Sequence, residues 1–470
     1  MKLIKNMMYN ATYQILALIL PLITTPYIAK VLTSTGVGIN AYTGSIVTYF
    51  TLAAALGISL YGNREIAYVQ RNKKKRSKIF WELVFLKFVS TGLSGVAFIV
   101  LVLNTKEWQY YFMIQGLNLF SVATDISWYF MGREDFKRIV VRNTIIRLIT
   151  VVLTFTLVKT ASDLDIYMAL VAGSTILGNL TVWPFLKNEV VWVPFNELKI
   201  LRHLLPTLHL FLPQITMQVY LSLNKSMLGW LDGVVSSGYF DQSDKIIRIM
   251  FTLVASLGGV FLPRLASLFS EGKKDEAKDL LLKLIDLSNA LSVLMISGIV
   301  AVARTFSIFF FSEEFEPVGS LMQVQSLMII LISYGNALGT QYLLASKRTR
   351  DYTISAFAGL VTNIIFNLIL IPSMSAMGAV ISTVLTELVV SGYQAYSLRD
   401  IFSFKDLTKG LWKYILAAFP TVLVMHYMNI QMSISFFNYV IQTITGVAIY
   451  LVMVLLLKAP IVSLVKDFKR

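Results

Sequence analysis

Apolar runs of 18 residues or more recur from one end of this 470-residue chain to the other, and they decide its fold class. A run of that length crosses the roughly 30 Å hydrocarbon core of a bilayer as a helix. Composition agrees. The chain is 56% hydrophobic and only 14% charged, where a soluble domain carries about 25% charge. Its mean hydropathy is +0.68. The reading is an all-α polytopic membrane protein. The first run, roughly 6–31, is too long for a signal-peptide core, and no small-residue cleavage site follows it, so it is taken as a retained span. There is no cysteine, which excludes disulfides, thiolate metal sites and cysteine nucleophiles. The three histidines, His203, His209 and His426, form no cluster in sequence that would hold a metal.

Fourteen spans are expected: about 6–31, 38–63, 79–103, 107–131, 137–159, 163–187, 202–231, 236–263, 279–303, 318–345, 350–371, 376–398, 410–428 and 433–457. The formal net charge is +15, and its distribution decides what it means. One alternate set of connections, with RNKKKRSK, GREDFKRIVVR, SKRTR and both termini, holds 31 basic residues. The other set holds only Lys30, Lys106, Lys159 and Arg304. The positive-inside rule then places both termini in the cytoplasm, which requires an even number of spans. These basic runs read as topology determinants and not as nucleic-acid sites. A multi-pass membrane location with both termini cytoplasmic is expected.

The sequence repeats. Residues 50–57 read FTLAAALG and residues 251–258 read FTLVASLG, with six of eight positions identical at an offset of 201. Without gaps the same offset pairs Ile79 with Leu280, Leu83 with Leu284 and Leu93 with Leu294. An offset spanning six helices means that both copies run in the same direction, a parallel repeat with binding expected between the halves. The division this implies is an N-lobe over 1–190, a C-lobe over 191–400, and two further helices with a tail over 401–470. Prolines at Pro21 and Pro26 in span 1, and Pro206 and Pro213 in span 7, fall at matching repeat positions and are expected to kink those helices.

Span 8 is the anomaly. YFDQSDKIIRI, residues 239–249, places two acids and two bases inside a long apolar run. On a helical wheel Ser237, Asp241, Asp244, Lys245, Arg248 and Thr252 share one stripe roughly 100° wide. Each charge at the centre of a bilayer costs about 2.5–3.5 kcal/mol on insertion scales, so the stripe is expected to line a wet cavity or a polar interface. Asp241 with Lys245 and Asp244 with Arg248 are spaced i, i+4, with the acid on the N-terminal side as helical pairs prefer. The plain structural reading is an ion-pair network that locks two helices together. Against it stand the deep basic residues Arg147, Lys225, Lys245 and Arg248, which outnumber what local pairs need. Shifted by 201, the stripe falls on Gly36, Asn40, Thr43, Gly44 and Thr51, polar but uncharged. Amides and hydroxyls suit sugar hydroxyls, and an arginine fork suits phosphate oxygens. The ligand expected is a polyhydroxylated group with a localised negative charge.

The opening NATYQILALILPLITTPYIAKVLTSTGVGINAYTGSIVTYF, then LGISLYGNREIA and WYFMGREDFKRIVVRNTIIRLI, resemble bacterial polysaccharide repeat-unit flippases. These form the Wzx-like branch of the multidrug/oligosaccharidyl-lipid/polysaccharide exporter superfamily, and the resemblance covers essentially the whole chain. It implies fourteen helices in two lobes. It further implies translocation of an undecaprenyl-pyrophosphate-linked oligosaccharide from the inner to the outer leaflet by alternating access, for capsular polysaccharide, other cell-surface polysaccharide or teichoic acid assembly. Arg147, Asn224, Lys225, Lys245, Arg248 and Asn40 are the candidate substrate contacts, with Arg64 at the cytoplasmic mouth. Asp241, Asp244 and Glu387 are candidate ion-coupling residues, the ion being a proton or sodium. No catalytic residue, metal or cofactor is expected, and a polysaccharide polymerase is the expected protein partner. Trp128 is expected in the interfacial aromatic belt.

Three rivals remain open. A lipid II flippase would carry the same pyrophosphate anchor. A cation-coupled drug exporter of the same superfamily would want an acidic, aromatic cavity instead. A membrane glycan polymerase or glycosyltransferase would show sizeable loops with a catalytic constellation, and the outward connections here are short. No GxxxxGK[ST] motif is present, so ATP is not the expected energy source.

Overall fold

The computed structural model describes residues 2–463 of the chain, and the side chains of 19–211, 215, 218–259 and 261–463 among them. Helices account for 87% of the described residues, which form no strand. This is the architecture lipid demands, because a helix satisfies its own backbone groups. Two compact units form, Met1–Gly229 and Trp230–Arg470.

In the first unit α1 (Lys2–Ala55) carries spans 1 and 2 and turns at Thr33, whose φ of 63° is rare for a β-branched residue. Gly57, at φ +70°, separates α1 from α2 (Ile58–Tyr68). α3 (Lys73–Asn104) is span 3, and span 4 is broken into α4 (Gln109–Gln115), α5 (Leu117–Thr124) and α6 (Ser127–Gly132). α7 (Phe136–Leu157), α8 (Leu164–Leu180) and α9 (Leu204–Leu231) complete it. Pro206 sits in the first turn of α9, where a missing N–H costs nothing, so the kink expected there has no cause. Pro213 falls outside the described side chains. α9 is tied to α1 by hydroxyls: Ser226 Oγ lies 2.9 Å from both Ser45 Oγ and Tyr49 Oη.

In the second unit come α10 (Val234–Ser270), α11 (Lys274–Phe310), α12 (Glu316–Gln325) and α13 (Met328–Gly335), the last running into a π-helical stretch over Asn336–Leu344. α14 (Thr349–Ser397) turns at Ser375, φ 54°, and so carries spans 11 and 12. After the short α15 (Phe404–Leu407) come α16 (Leu411–Gln431) and α17 (Phe436–Leu456). Each expected span thus coincides with a helix, a bent half of one, or a broken run, which is consistent with fourteen. Among the described residues nine helices, or ten with the bent α12–α13 pair, are long and apolar enough to span by themselves.

One core cluster in the first unit gathers around Phe80, Trp128 and Tyr129, all at most 1% exposed. Trp128 is therefore not an interfacial belt residue. It stacks on Phe80 at 5.7 Å, because Gly62 on α2 leaves room for the indole. Arg76, from the basic run RNKKKRSK, is also buried. Its guanidinium donates to Tyr129 Oη (2.7 Å) and the Gln70 carbonyl (2.7 Å) and pairs with Glu189 (3.0 Å). Part of a run read as a topology signal is thus a structural tie between α3, the α2–α3 turn and the segment after α8.

A Cβ at Gly62 would lie 2.5–3.0 Å from the Trp128 ring, in a site with no slack. Gly62→Val is expected to cost about 1–3 kcal/mol through overpacking, read as a lowered unfolding midpoint in detergent.

A charged helix and its glutamine clamps

The central charges on α10 pair as their spacing predicts. Lys245 Nζ lies 2.6 Å from Asp241 Oδ2, and Arg248 Nε donates to Asp244 Oδ2 at 2.6 Å. The four charges are not equally placed. The aspartate side chains are 9% and 11% exposed, whereas those of Lys245 and Arg248 are 43% and 34% exposed. The acids are sunk into the packing and the bases stand over them, so the accessible side of a formally neutral stripe is cationic.

A residue that spacing within one helix could not reveal holds this stripe in place. Gln325, fully buried at the end of α12, donates Nε2–H to Asp244 Oδ1 (3.1 Å) and accepts from Ser243 Oγ (2.5 Å). The first unit repeats the device in neutral form. Gln115, at the end of α4, donates Nε2–H to Asn40 Oδ1 (3.0 Å) and accepts from Asn118 (2.9 Å). Asn40 is the position that the 201 offset equates with Asp241. A glutamine from span 4 on span 2, and one from span 10 on span 8, share a signal: a lone amide within an apolar run.

The other candidates are placed separately. Arg64, on α2, is exposed, pairs with Glu65 (3.2 Å) and lies over the Tyr61 ring, 5.3 Å from its centroid. Arg147 is half-buried on α7. Asn224 is buried and Lys225 half-buried on α9. Glu387 is 9% exposed on α14, in a buried ladder with Thr383, Thr386 and Ser391, whose Oγ donates to the Glu387 carbonyl (2.7 Å). Two further clusters escaped the sequence reading. Lys87, buried on α3, reaches the Asp125 carbonyl at 2.7 Å and its carboxylate at 3.7 Å. Glu82, fully buried, accepts from the Lys199 N–H (2.7 Å) and Arg202 (2.5 Å) and lies 2.9 Å from His203 Nε2, whose Nδ1 is 2.8 Å from Tyr61 Oη. That cluster straps the segment between α8 and α9 onto α3. No group of three or more metal-ligating side chains exists among the described residues.

Gln325→Leu removes a donor from a buried carboxylate and an acceptor from Ser243. Gln325→Leu and Ser243→Ala are each expected to cost about 1–3 kcal/mol. The double variant is expected to lose less than the sum by about 0.5 kcal/mol or more, measured by unfolding in detergent.

Known proteins share this chain's sequence and fold. The profile of the polysaccharide biosynthesis protein family matches residues 3–269. A relative from Escherichia coli (strain K12), named as an O-antigen transporter, is 22% identical over 84% of this chain and 96% of its own. One of the same name from Shigella dysenteriae is 26% identical over 79% of this chain and 93% of its own. Among solved structures, the lipid II flippase MurJ in an inward closed conformation superposes with a TM-score of 0.75 at 15% identity, covering 99% of this chain and all of that one. An inward-facing MATE-family transporter of the MOP superfamily gives 0.60 at 15% identity, covering 80% and 95%. Both likenesses are of fold, and both neighbours are transporters or flippases, not enzymes. The chain belongs to the polysaccharide biosynthesis protein family and has the fold of the MOP superfamily.

Proposed function

We propose that the chain is a flippase for an oligosaccharide linked through pyrophosphate to undecaprenol, moving it from the cytoplasmic to the outer leaflet of a bacterial plasma membrane. The observation that carries this is the arrangement on α10: buried Asp241 and Asp244 hold Lys245 and Arg248 in place while leaving their basic ends half exposed. A diphosphate is the anion such a pair suits, because guanidinium and ammonium form their strongest hydrogen bonds with phosphate oxygens. The amide and hydroxyl groups around Asn40 would serve the sugars. Arg64 would meet the pyrophosphate first, and Arg147, Asn224 and Lys225 would extend the basic surface. A passage lined in this way answers the cost of moving phosphates and sugars through hydrocarbon. Alternating access of an N-lobe (1–190) and a C-lobe (191–400) would carry the head group, with both termini cytoplasmic. Asp241, Asp244 or Glu387 would bind a coupling proton or sodium, and a polymerase would receive the product. The family match and the O-antigen relatives support the polysaccharide cargo.

Lipid II is the second reading. It is favoured by the likeness to MurJ over the whole chain and by the same pyrophosphate anchor.

In proteoliposomes, Arg248→Ala and Lys245→Ala are expected to lower flipping of a fluorescent lipid-linked oligosaccharide about tenfold or more, the scale of one charge-assisted hydrogen bond, with insertion unchanged. Normal flipping by both variants would overturn the assignment. Preference of the native chain for lipid II over a capsular or O-antigen repeat unit would establish the second reading.

A further inference from the structure

Asp286 on α11 has no part in the reading above. It is 8% exposed. Its Oδ1 accepts from Tyr414 Oη at 2.8 Å, while Oδ2 is buried without a hydrogen-bond partner. That combination is costly for an ionised carboxylate, because a buried charge needs its acceptor sites filled or a counter-ion beside it. Among the described residues no lysine, arginine or histidine forms an ion pair with it. Asp286 also lines a cavity of about 260 Å³ together with Asn289, Leu407 and Ser463, room for several waters at about 30 Å³ each. The cavity wall includes Asp279, Lys283, Asp406 and Lys409. A cavity with charged groups on its wall therefore abuts a carboxylate whose one orphaned oxygen asks for a hydrogen.

We propose that Asp286 is a proton-binding site, reached through this cavity, whose occupancy governs how the last two helices seat on α11. A proton is the occupant the donor set favours: one carboxylate oxygen suffices for it, whereas a metal cation needs several oxygen ligands, and no cluster of three acidic or histidine side chains is present among the described residues. The link to the last helices is direct. Tyr414, on α16, donates to Asp286 and accepts from the Ile461 N–H at 3.1 Å, just past α17. Tyr450, on α17, donates to the Ala290 carbonyl one turn along α11 at 2.9 Å. An ionised Asp286 grips the Tyr414 hydroxyl with a charge-assisted bond, and a protonated one with an ordinary bond roughly half as strong. Protonation thus loosens the join between α11, α16 and the segment after α17.

The groups that face this site from each neighbour can be named. α16 brings Tyr414, α17 brings Tyr450, and α13 brings Tyr334, whose hydroxyl donates to the Leu407 carbonyl at 2.9 Å and receives Asn289 Nδ2–H at 3.1 Å. α15 and the turn after it bring Asp406 and Lys409, and α11 itself brings Asp279 and Lys283. Among the described residues of the cavity wall, α10 and α12 contribute none. The site stands whatever the cargo is, so its failure and that of the flippase assignment are separate events.

The test is infrared difference spectroscopy of the full chain in nanodiscs, with isotope-labelled aspartate, between acidic and alkaline buffer. The expected result is a protonated-carboxyl band from a buried aspartate that is lost in Asp286→Asn. Tyr414→Phe deletes the donor to the ionised form, so its band is expected to persist to higher pH than in the native chain. Hydrogen exchange along α16 should change over the same pH range in the native chain and stay flat in Asp286→Asn. A band that survives Asp286→Asn, or a midpoint unmoved by Tyr414→Phe, overturns the proposal. Abolition of the band by sodium at constant pH overturns it too, since the occupant would then be a metal cation. If Asp286→Asn does not fold, the Tyr414→Phe midpoint decides alone.

Discussion

Lipid offers a buried polar group nothing to bond with, and that constraint shapes every helix here. α10 shows it most sharply. Two aspartates, a lysine and an arginine are tolerated within a long apolar run because each acid has its base one turn along, and because Gln325 completes the coordination of Asp244 from a neighbouring helix. Without the amide, one carboxylate oxygen would be left with no donor in a medium that cannot supply one. The same constraint explains why the chain turns sharply at Thr33 and Ser375, where spans meet, while span 4 is the exception, broken at Asp125.

How much of this was legible in the sequence follows from the range of each interaction. The spans and the i, i+4 pairs are local properties, visible as run length and spacing. The glutamine clamps are not local. Gln115 and Gln325 stand 75 and 81 residues from the oxygens they donate to, and a lone amide in an apolar run carries no label of its partner. Trp128 misled for a related reason. Its position near the end of a span is typical of an interfacial residue, and only Gly62 on α2, with no side chain to fill the space, shows why it is buried. Asp286 lies well inside α11, and nothing in its sequence neighbourhood names Tyr414 as its partner. The orphaned oxygen became visible only with α16 in place.

The two halves use one frame for different chemistry. Span 2 and span 8 occupy equivalent places in the repeat, and each is gripped by a glutamine from two spans later. In the first half the gripped groups are neutral, Asn40 with Gln115 and Asn118. In the second they are ionic. Divergence after duplication would keep the clamp, which is structural, and change what it holds. The polar faces on α1 and α10 thus differ in charge, one neutral and one ionic.

The burial asymmetry on α10 also bears on whether this stripe only locks helices together. A pure lock would bury acid and base alike, since any exposure to a competing partner weakens it. Here the acids are 9% and 11% exposed and the bases about three to five times more so. Holding a base from behind keeps its rotamer fixed, so less side-chain entropy is lost when an anion arrives. The aspartates also limit how strongly that anion is held, because the cation it meets is already partly neutralised. In the proposed flippase, moderate affinity on a pre-positioned base would serve release as well as capture. A lysine and arginine without these carboxylates would cost more to bury in an apolar run.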